Sequence, residues 1–209
     1  MVRSCDKACV GILALLSSVL VTSQLATASD GEDVVVSLFN GRNLEGWKSE
    51  GKAHWEVQDG LLIGRQGENN SPGDLLTEAA YANFDLIVEF RVTWPANSGV
   101  WYRYQSADQS YQADILEYKN PVAWTGTLYC TGKMFIAINK DPELVHRDSW
   151  NTLRIRADGN HHVVWLNGTE VANVRDDTSA RGRIGFQIHA GDEFAKMQIA
   201  VKKVELRAL

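Results

Sequence analysis

Phe84, Leu86, Val88, Phe90, Val92 and Trp94 alternate with Asp85, Ile87, Glu89, Arg91 and Thr93 in one unbroken run. A helix repeats about every 3.6 residues, so a sustained period of two belongs to an extended strand with one buried face. Leu153, Ile155 and Ala157 alternate in the same way with Thr152, Arg154 and Arg156. Asp59-Gly60, Asp158-Gly159 and Asn167-Gly168 each stand between apolar segments, and such pairs are hairpin signals because the tight turn needs left-handed backbone. The stretch TLRIRADGNHHVVWLNGTEVANV therefore reads as a three-stranded meander, and no useful helical period is found after Ser29. Many short strands with regular turns predict an all-β, jelly-roll β-sandwich of two antiparallel sheets, whose outer faces are left to solvent or ligand.

Residues 1–28 have the pattern of a cleaved signal peptide. Arg3 and Lys7 are basic, Ala8 to Val21 is almost wholly apolar, and Ala26-Thr27-Ala28 supplies small residues for cleavage. The apolar run falls short of the about 20 residues a membrane helix needs, so the expectation is a secreted or periplasmic protein with no membrane association after cleavage. A short segment, 29–36, then leads into a single domain over 37–209. Cys5 and Cys9 fall in the leader, leaving Cys130 alone, without an intramolecular disulfide and best read as a small buried hydrophobe. The formal net charge of −5 gives no electrostatic support for a nucleic-acid partner.

Parity along the strands assigns faces. With the large apolar residues of 84–94 inside, Glu89 and Arg91 point out; with Val100, Tyr102 and Tyr104 inside, Trp101, Arg103 and Gln105 point out. Gln112 and Asp114 oppose Ala113 and Ile115, and Gln187 and His189 oppose Ile184, Phe186 and Ile188. Glu89, Arg103, Asp114 and His189, beside Trp101, Gln112 and Gln187, could thus share one concave surface. Each of these charged groups could also be simply solvated, as most surface charges are. Glu117 lies at the wrong parity for Asp114 and joins it only through a bulge. His161 and His162 read as solvent-facing hairpin residues, and Asn167-Gly168-Thr169 reads as a type I′ turn before it reads as a glycosylation site.

SLFNGRNLEGWK, HWEVQDGLLIG, FDLIVEFRV, NSGVWYR, YQADILE, TGTLY, WNTLRI, VVWLNGTEV and GRIGFQIHAGDEFAKMQIAVKKVEL follow one another in an order that resembles the 3-keto-disaccharide hydrolase domain, from about Leu38 to Leu206. The resemblance implies a concanavalin-A-like jelly roll and action on 3-keto-glycosides. A ketone at C3 acidifies the C2 proton; a base removes it, a donor stabilises the enediolate, and the C1 oxygen leaves before water adds. It implies that Arg103 binds the keto or enediolate oxygen, and that Asp114, Glu117, His189 and Glu89 supply base, acid or the ligands of a divalent metal. Trp101, Gln112, Gln187, Tyr129 and Lys133 complete the substrate-binding set, Tyr129 as donor to the leaving oxygen. The family pattern at 111–117 is nearer to Y-E-V-Q-I-L-D, so Gln112 and Asp114 exchange amide for acid here.

Two other functions fit these residues. A non-catalytic carbohydrate-binding module would use Trp101, Tyr102, Tyr104, Tyr111 and Trp124 as a stacking surface. A retaining glycosidase would need paired carboxylates on one face, for which Asp114 and Glu117 have the wrong parity.

Overall fold

The computed structural model describes Met1 and residues 34–209. The leader, its cleavage site, Cys5 and Cys9 lie among residues 2–33, outside the described residues. No helix among those described is long and apolar enough to cross a membrane.

The described residues form β1 (Val35–Ser37), β2 (Trp47–Gly51), β3 (His54–Gln58), β4 (Leu61–Arg65), β5 (Gly73–Thr77), β6 (Phe84–Val92), β7 (Asn97–Ser106) and β8 (Gln109–Lys119). They continue through β9 (Val122–Cys130), β10 (Met134–Asn139), β11 (Asn151–Asp158), β12 (His161–Leu166), β13 (Thr169–Arg175), β14 (Arg183–Ile188) and β15 (Gln198–Ala208). An eight-stranded sheet has the order β13-β12-β11-β6-β15-β4-β3, with β1 paired to β15. A seven-stranded sheet has the order β10-β9-β8-β7-β14-β5-β2. All pairings are antiparallel, as a jelly-roll β-sandwich requires.

The period-two runs become the core. Phe84, Leu86, Val88 and Phe90 of β6 and Leu153, Ile155 and Ala157 of β11 are fully buried against Val100, Ala113, Ile115, Leu128, Ile184, Phe186 and Ile188 of the opposite sheet. The meander forms as β11-β12-β13, and its second turn carries positive φ at both Asn167 (50°) and Gly168 (88°), the signature of type I′. In the first turn the central pair is Gly159-Asn160, since Asp158 still pairs with His161.

Two expectations are corrected here. His162 is fully buried, its ring 4.4 Å from that of Tyr111, with Nδ1 3.1 Å from the Tyr102 hydroxyl and Nε2 3.0 Å from the Asp176 carbonyl. Strand parity put His161 and His162 on opposite faces, but only the second sheet shows which face is covered. Tyr102 and Tyr111 also pack in the core, stacked at 5.2 Å, and cannot meet a sugar. Cys130 is buried, as its chemistry suggested, and burial raises its thiol pKa.

Candidate functional site

The outer face of the seven-stranded sheet is set by register. One row crosses it as Tyr129 (β9), Gln112 (β8), Trp101 (β7), Gly185 (β14) and Leu76 (β5). The adjacent row runs Asp114 (β8), Gly99 (β7), Gln187 (β14), Asp74 (β5) and Glu50 (β2). Asn97 and His189 follow, joined by the His189 amide, which donates to the Asn97 carbonyl at 3.2 Å. Asn97, Trp101, Gln112, Asp114, Tyr129, Gln187 and His189 line a hollow of about 200 Å³.

Two glycines shape this surface. Gly99, between Asp114 and Gln187, leaves a space that the Gln112 side chain covers: a Cβ there would stand 2.6 Å from its Cγ and Cδ. Gly185 has no such freedom, because a Cβ would lie 2.3 Å from the Leu75 carbonyl.

Asp114 is 2 % exposed, and its Oδ2 has no hydrogen-bond partner. It forms no ion pair among the described residues, and burial alone drives its pKa well above the ordinary carboxyl value. Beside it, the buried Gln112 Nε2 is likewise without a partner. A buried polar group left unpaired is costly, and two of them opening onto one hollow mark a place for a ligand's polar atoms. His189 is exposed at the rim, and its Nδ1 donates to the Ala190 carbonyl at 2.6 Å, which leaves Nε2 free to face a ligand. Gln66 steadies the chain beneath it, Nε2 donating to the His189 and Gly191 carbonyls at 2.9 Å each.

Trp101, Tyr104 and Leu76 form a small cluster with Tyr129 packed against it. Trp101 is only 7 % exposed and meets Tyr104 and Tyr129 edge-on, so it is a wall and not an open stacking platform. Its indole Nε1 donates to Asp74 Oδ1 at 2.8 Å. Parity did not point to Asp74, because β5 is too short to show an alternation; a carboxylate between glycine and two leucines, in GDLL, was the one available signal.

The structure brings together Asp114, His189, Trp101, Gln112, Tyr129 and Gln187 from the residues expected at the site. It does not bring four others. Arg103 is 1 % exposed: Nε donates to the Ala82 carbonyl at 2.7 Å, Nη1 to the Gly159 carbonyl at 2.7 Å and the Ser179 carbonyl at 3.2 Å, and Nη2 to Asn83 Oδ1 at 3.1 Å. The cause is a bulge. Arg183 pairs with Tyr104 and Gly185 with Trp101, so β7 holds one residue more than β14, and Arg103 takes the left-handed φ of 47°. Beyond the bulge, parity reverses and Tyr104 joins the Trp101 face.

Glu89 lies in the eight-stranded sheet, on the opposite side of the sandwich, paired with Lys202 at 2.7 Å and Lys203 at 3.9 Å. Glu117 keeps the regular β8–β9 register opposite Trp124, with no bulge to turn it, and pairs with Arg147. Lys133 is held by Asp176 at 2.5 Å. The proposed metal donors Glu89, Asp114, Glu117 and His189 therefore do not assemble, and no group of three His, Cys, Asp or Glu among the described residues could hold a metal ion.

Fold and site together define a jelly-roll β-sandwich with a polar hollow on the outer face of its seven-stranded sheet. Solved structures share the fold: one from Parabacteroides distasonis, provisionally named a glycosyl hydrolase, superposes with a TM-score of 0.65 at 21% identity over 84% of this chain and 100% of that one. The carbohydrate-binding module CBM66 from Bacillus subtilis superposes with a TM-score of 0.59 at 16% identity over 77% of this chain and 94% of that one. The chain belongs to the 3-keto-alpha-glucoside-1,2-lyase-like domain family, whose model matches residues 35–207. A 3-keto-disaccharide hydrolase of Bacteroides thetaiotaomicron is 29% identical over 105 residues, 45% of this chain and 35% of that protein. The match therefore spans about a third of the relative's length.

Proposed function

We propose that this chain cleaves 3-keto-glycosides by elimination and rehydration, with Asp114 as the base. The observation that carries the reading is the unpaired, buried Asp114 carboxyl beside the unpaired Gln112 amide on one hollow. Burial strengthens a carboxylate as a proton acceptor, which suits removal of a proton next to a ketone. Gln112 Nε2 donates to the oxygen that gains charge in the enediolate, the role that the family resemblance implied for Arg103. Exchange of amide and acid between 112 and 114 leaves both groups on the same face, since the two positions have the same parity.

His189, with its Nδ1–H committed to Ala190, enters the cycle as the imidazolium, and its Nε2–H proton passes to the C1 oxygen as the C1–O bond breaks. In the second half, water adds its oxygen to C1 and gives a proton back to His189, while Asp114 returns its proton to C2. Atoms and charges then balance over the cycle. A binding module without turnover is less well supported, because Tyr102 and Tyr111 are in the core and Trp101 stands edge-on in a cluster.

The test is release of glucose from 3-keto-trehalose by the purified protein and its Asp114→Asn variant. Turnover by the native protein and its loss in the variant are expected; absence of turnover by the native protein, or full turnover by the variant, refutes the assignment.

A further inference from the structure

Beside the first hollow, and sharing Gln187 and His189 with it, lies a second of about 390 Å³ lined by Glu50, Gly51, Pro72, Gly73, Asp74 and Ala190 among others. Asp114 and Asp74 lie in one row, three strand steps apart through Gly99 and Gln187. At ordinary strand spacing that is roughly 14 Å between backbones, longer than one pyranose ring and comparable with two.

The second hollow has its own fixed chemistry. Trp101 Nε1 holds one oxygen of Asp74 at 2.8 Å. Glu50, the cross-strand partner of Asp74, accepts from Arg183 Nη1 at 2.7 Å, and that guanidinium lies 5.3 Å over the Tyr104 ring. Arg183 is thus hydrogen-bonded to Glu50 and seated over Tyr104, and Asp74 presents a carboxyl that is oriented by an indole and in no ion pair among the described residues. Burial raises the Asp74 pKa; the Trp101 hydrogen bond opposes it, the negative charge of Glu50 raises it further and the Arg183 charge lowers it.

We propose that this second hollow is the subsite for the leaving-group ring, and that Asp74 selects an uncharged polyol there by accepting its hydroxyl hydrogens. The inference rests on the reading of the first hollow as the site of the oxidised ring. It places the bond that breaks above Gln187 and His189, where the hollows meet. A leaving group with a carboxylate or phosphate would face Asp74 and Glu50, and an aryl group would cover the Asp74 oxygen without returning a hydrogen bond.

The experiment compares native protein with Asp74→Ala and Asp74→Asn on two substrates, 3-keto-trehalose and methyl 3-keto-α-glucoside, whose leaving group is only methanol. Loss of a hydrogen bond to a carboxylate is worth about tenfold or more, so kcat/KM for the disaccharide should fall by about that factor in Asp74→Ala. In Asp74→Asn, whose Oδ1 can still accept from the Trp101 indole, the methyl glycoside should stay within about twofold, as only contacts with the second ring change. Asp74→Asn, the same size without charge, should narrow the preference for 3-keto-trehalose over its 6′-phosphate on the leaving ring. An equal fall on both substrates, or no fall on either, overturns the subsite. If the native protein turns over neither substrate, the catalytic reading fails separately. The subsite is then judged by calorimetric binding of the same two compounds: a disaccharide advantage lost in Asp74→Ala supports it, and equal affinities for both compounds overturn it.

Discussion

Asp114 stands directly opposite Gly99 in the antiparallel register of β8 and β7. The missing side chain leaves room on the outer face that the Gln112 side chain covers, and the Asp114 carboxyl beside it is only 2 % exposed. Stability is given up where chemistry is needed, since a buried carboxyl with no partner disfavours its own ionised form.

That cost predicts a trade between activity and stability. For Asp114 the folded pKa is raised above its unfolded value, so the group favours the folded state at low pH and loses that contribution as pH rises from the ordinary carboxyl range through the folded pKa. Asp114→Asn removes the ionisation while keeping the shape. We expect the variant to lose about 10²- to 10⁴-fold in kcat and to have a higher Tm than the native protein at pH 8, with the gap closing toward pH 4. In the native protein, kcat/KM should fall with acid at a pH above the ordinary carboxylate range. Thermal scans and a pH–rate profile check both.

Gly99 and Gly185 should separate function from folding. The nearest atoms to an alanine methyl at 99 belong to the Gln112 side chain, whereas at 185 the nearest is the Leu75 carbonyl oxygen. Gly99→Ala should keep its Tm within a few degrees and raise KM by about tenfold, the value of one charged or buried hydrogen bond. Gly185→Ala should destabilise by about 2 kcal/mol or more, since packed sheet backbone must shift. Denaturant unfolding with parallel kinetics distinguishes the two outcomes.

Arg103 should behave as a structural residue. Its guanidinium satisfies three carbonyls and one amide oxygen from separate loops, a fork that lysine cannot copy. Arg103→Lys should cost about 2–4 kcal/mol of stability, most of it from buried carbonyls left unpaired, with KM of the folded fraction changed by less than about threefold. Glu89→Ala, across the sandwich from the site, should leave kcat/KM within about twofold and alter stability by less than about 1 kcal/mol, as exposed ion pairs do.

His162 predicts an acid limit to stability. Burial lowers its pKa from the ordinary 6.5 to about 4, so the unfolded chain binds a proton that the folded one refuses between those values. The stabilisation is complete above pH 6.5 and is lost as pH falls toward 4, by about 3 kcal/mol in all. His162→Asn should be less stable at pH 7 and should show a flatter decline from pH 6.5 to 4, which chemical denaturation at a series of pH values measures.

Local periodicity was enough to place the strands of residues 84–94 and 152–157, their buried faces and the 167–168 turn, because alternation and turn chemistry are properties of neighbours along the chain. The same rule put Trp101, Gln112, Asp114, Gln187 and His189 on outward faces before any pairing was known. It failed at Arg103, where one extra residue in β7 reverses parity, and that bulge shows only against the register of β14. It could not tell that Glu89 points away from one sheet while Asp114 points away from the other, since each is outward along its own strand. Nor could it find Asp74, whose strand is too short to reveal a period and whose partner Trp101 lies far along the chain. By itself the sequence determined which side chains alternate about each regular strand, short of the bulge at Arg103. Only the tertiary structure decided which of them meet, because sharing a face is a property of paired strands and of the layer that covers them.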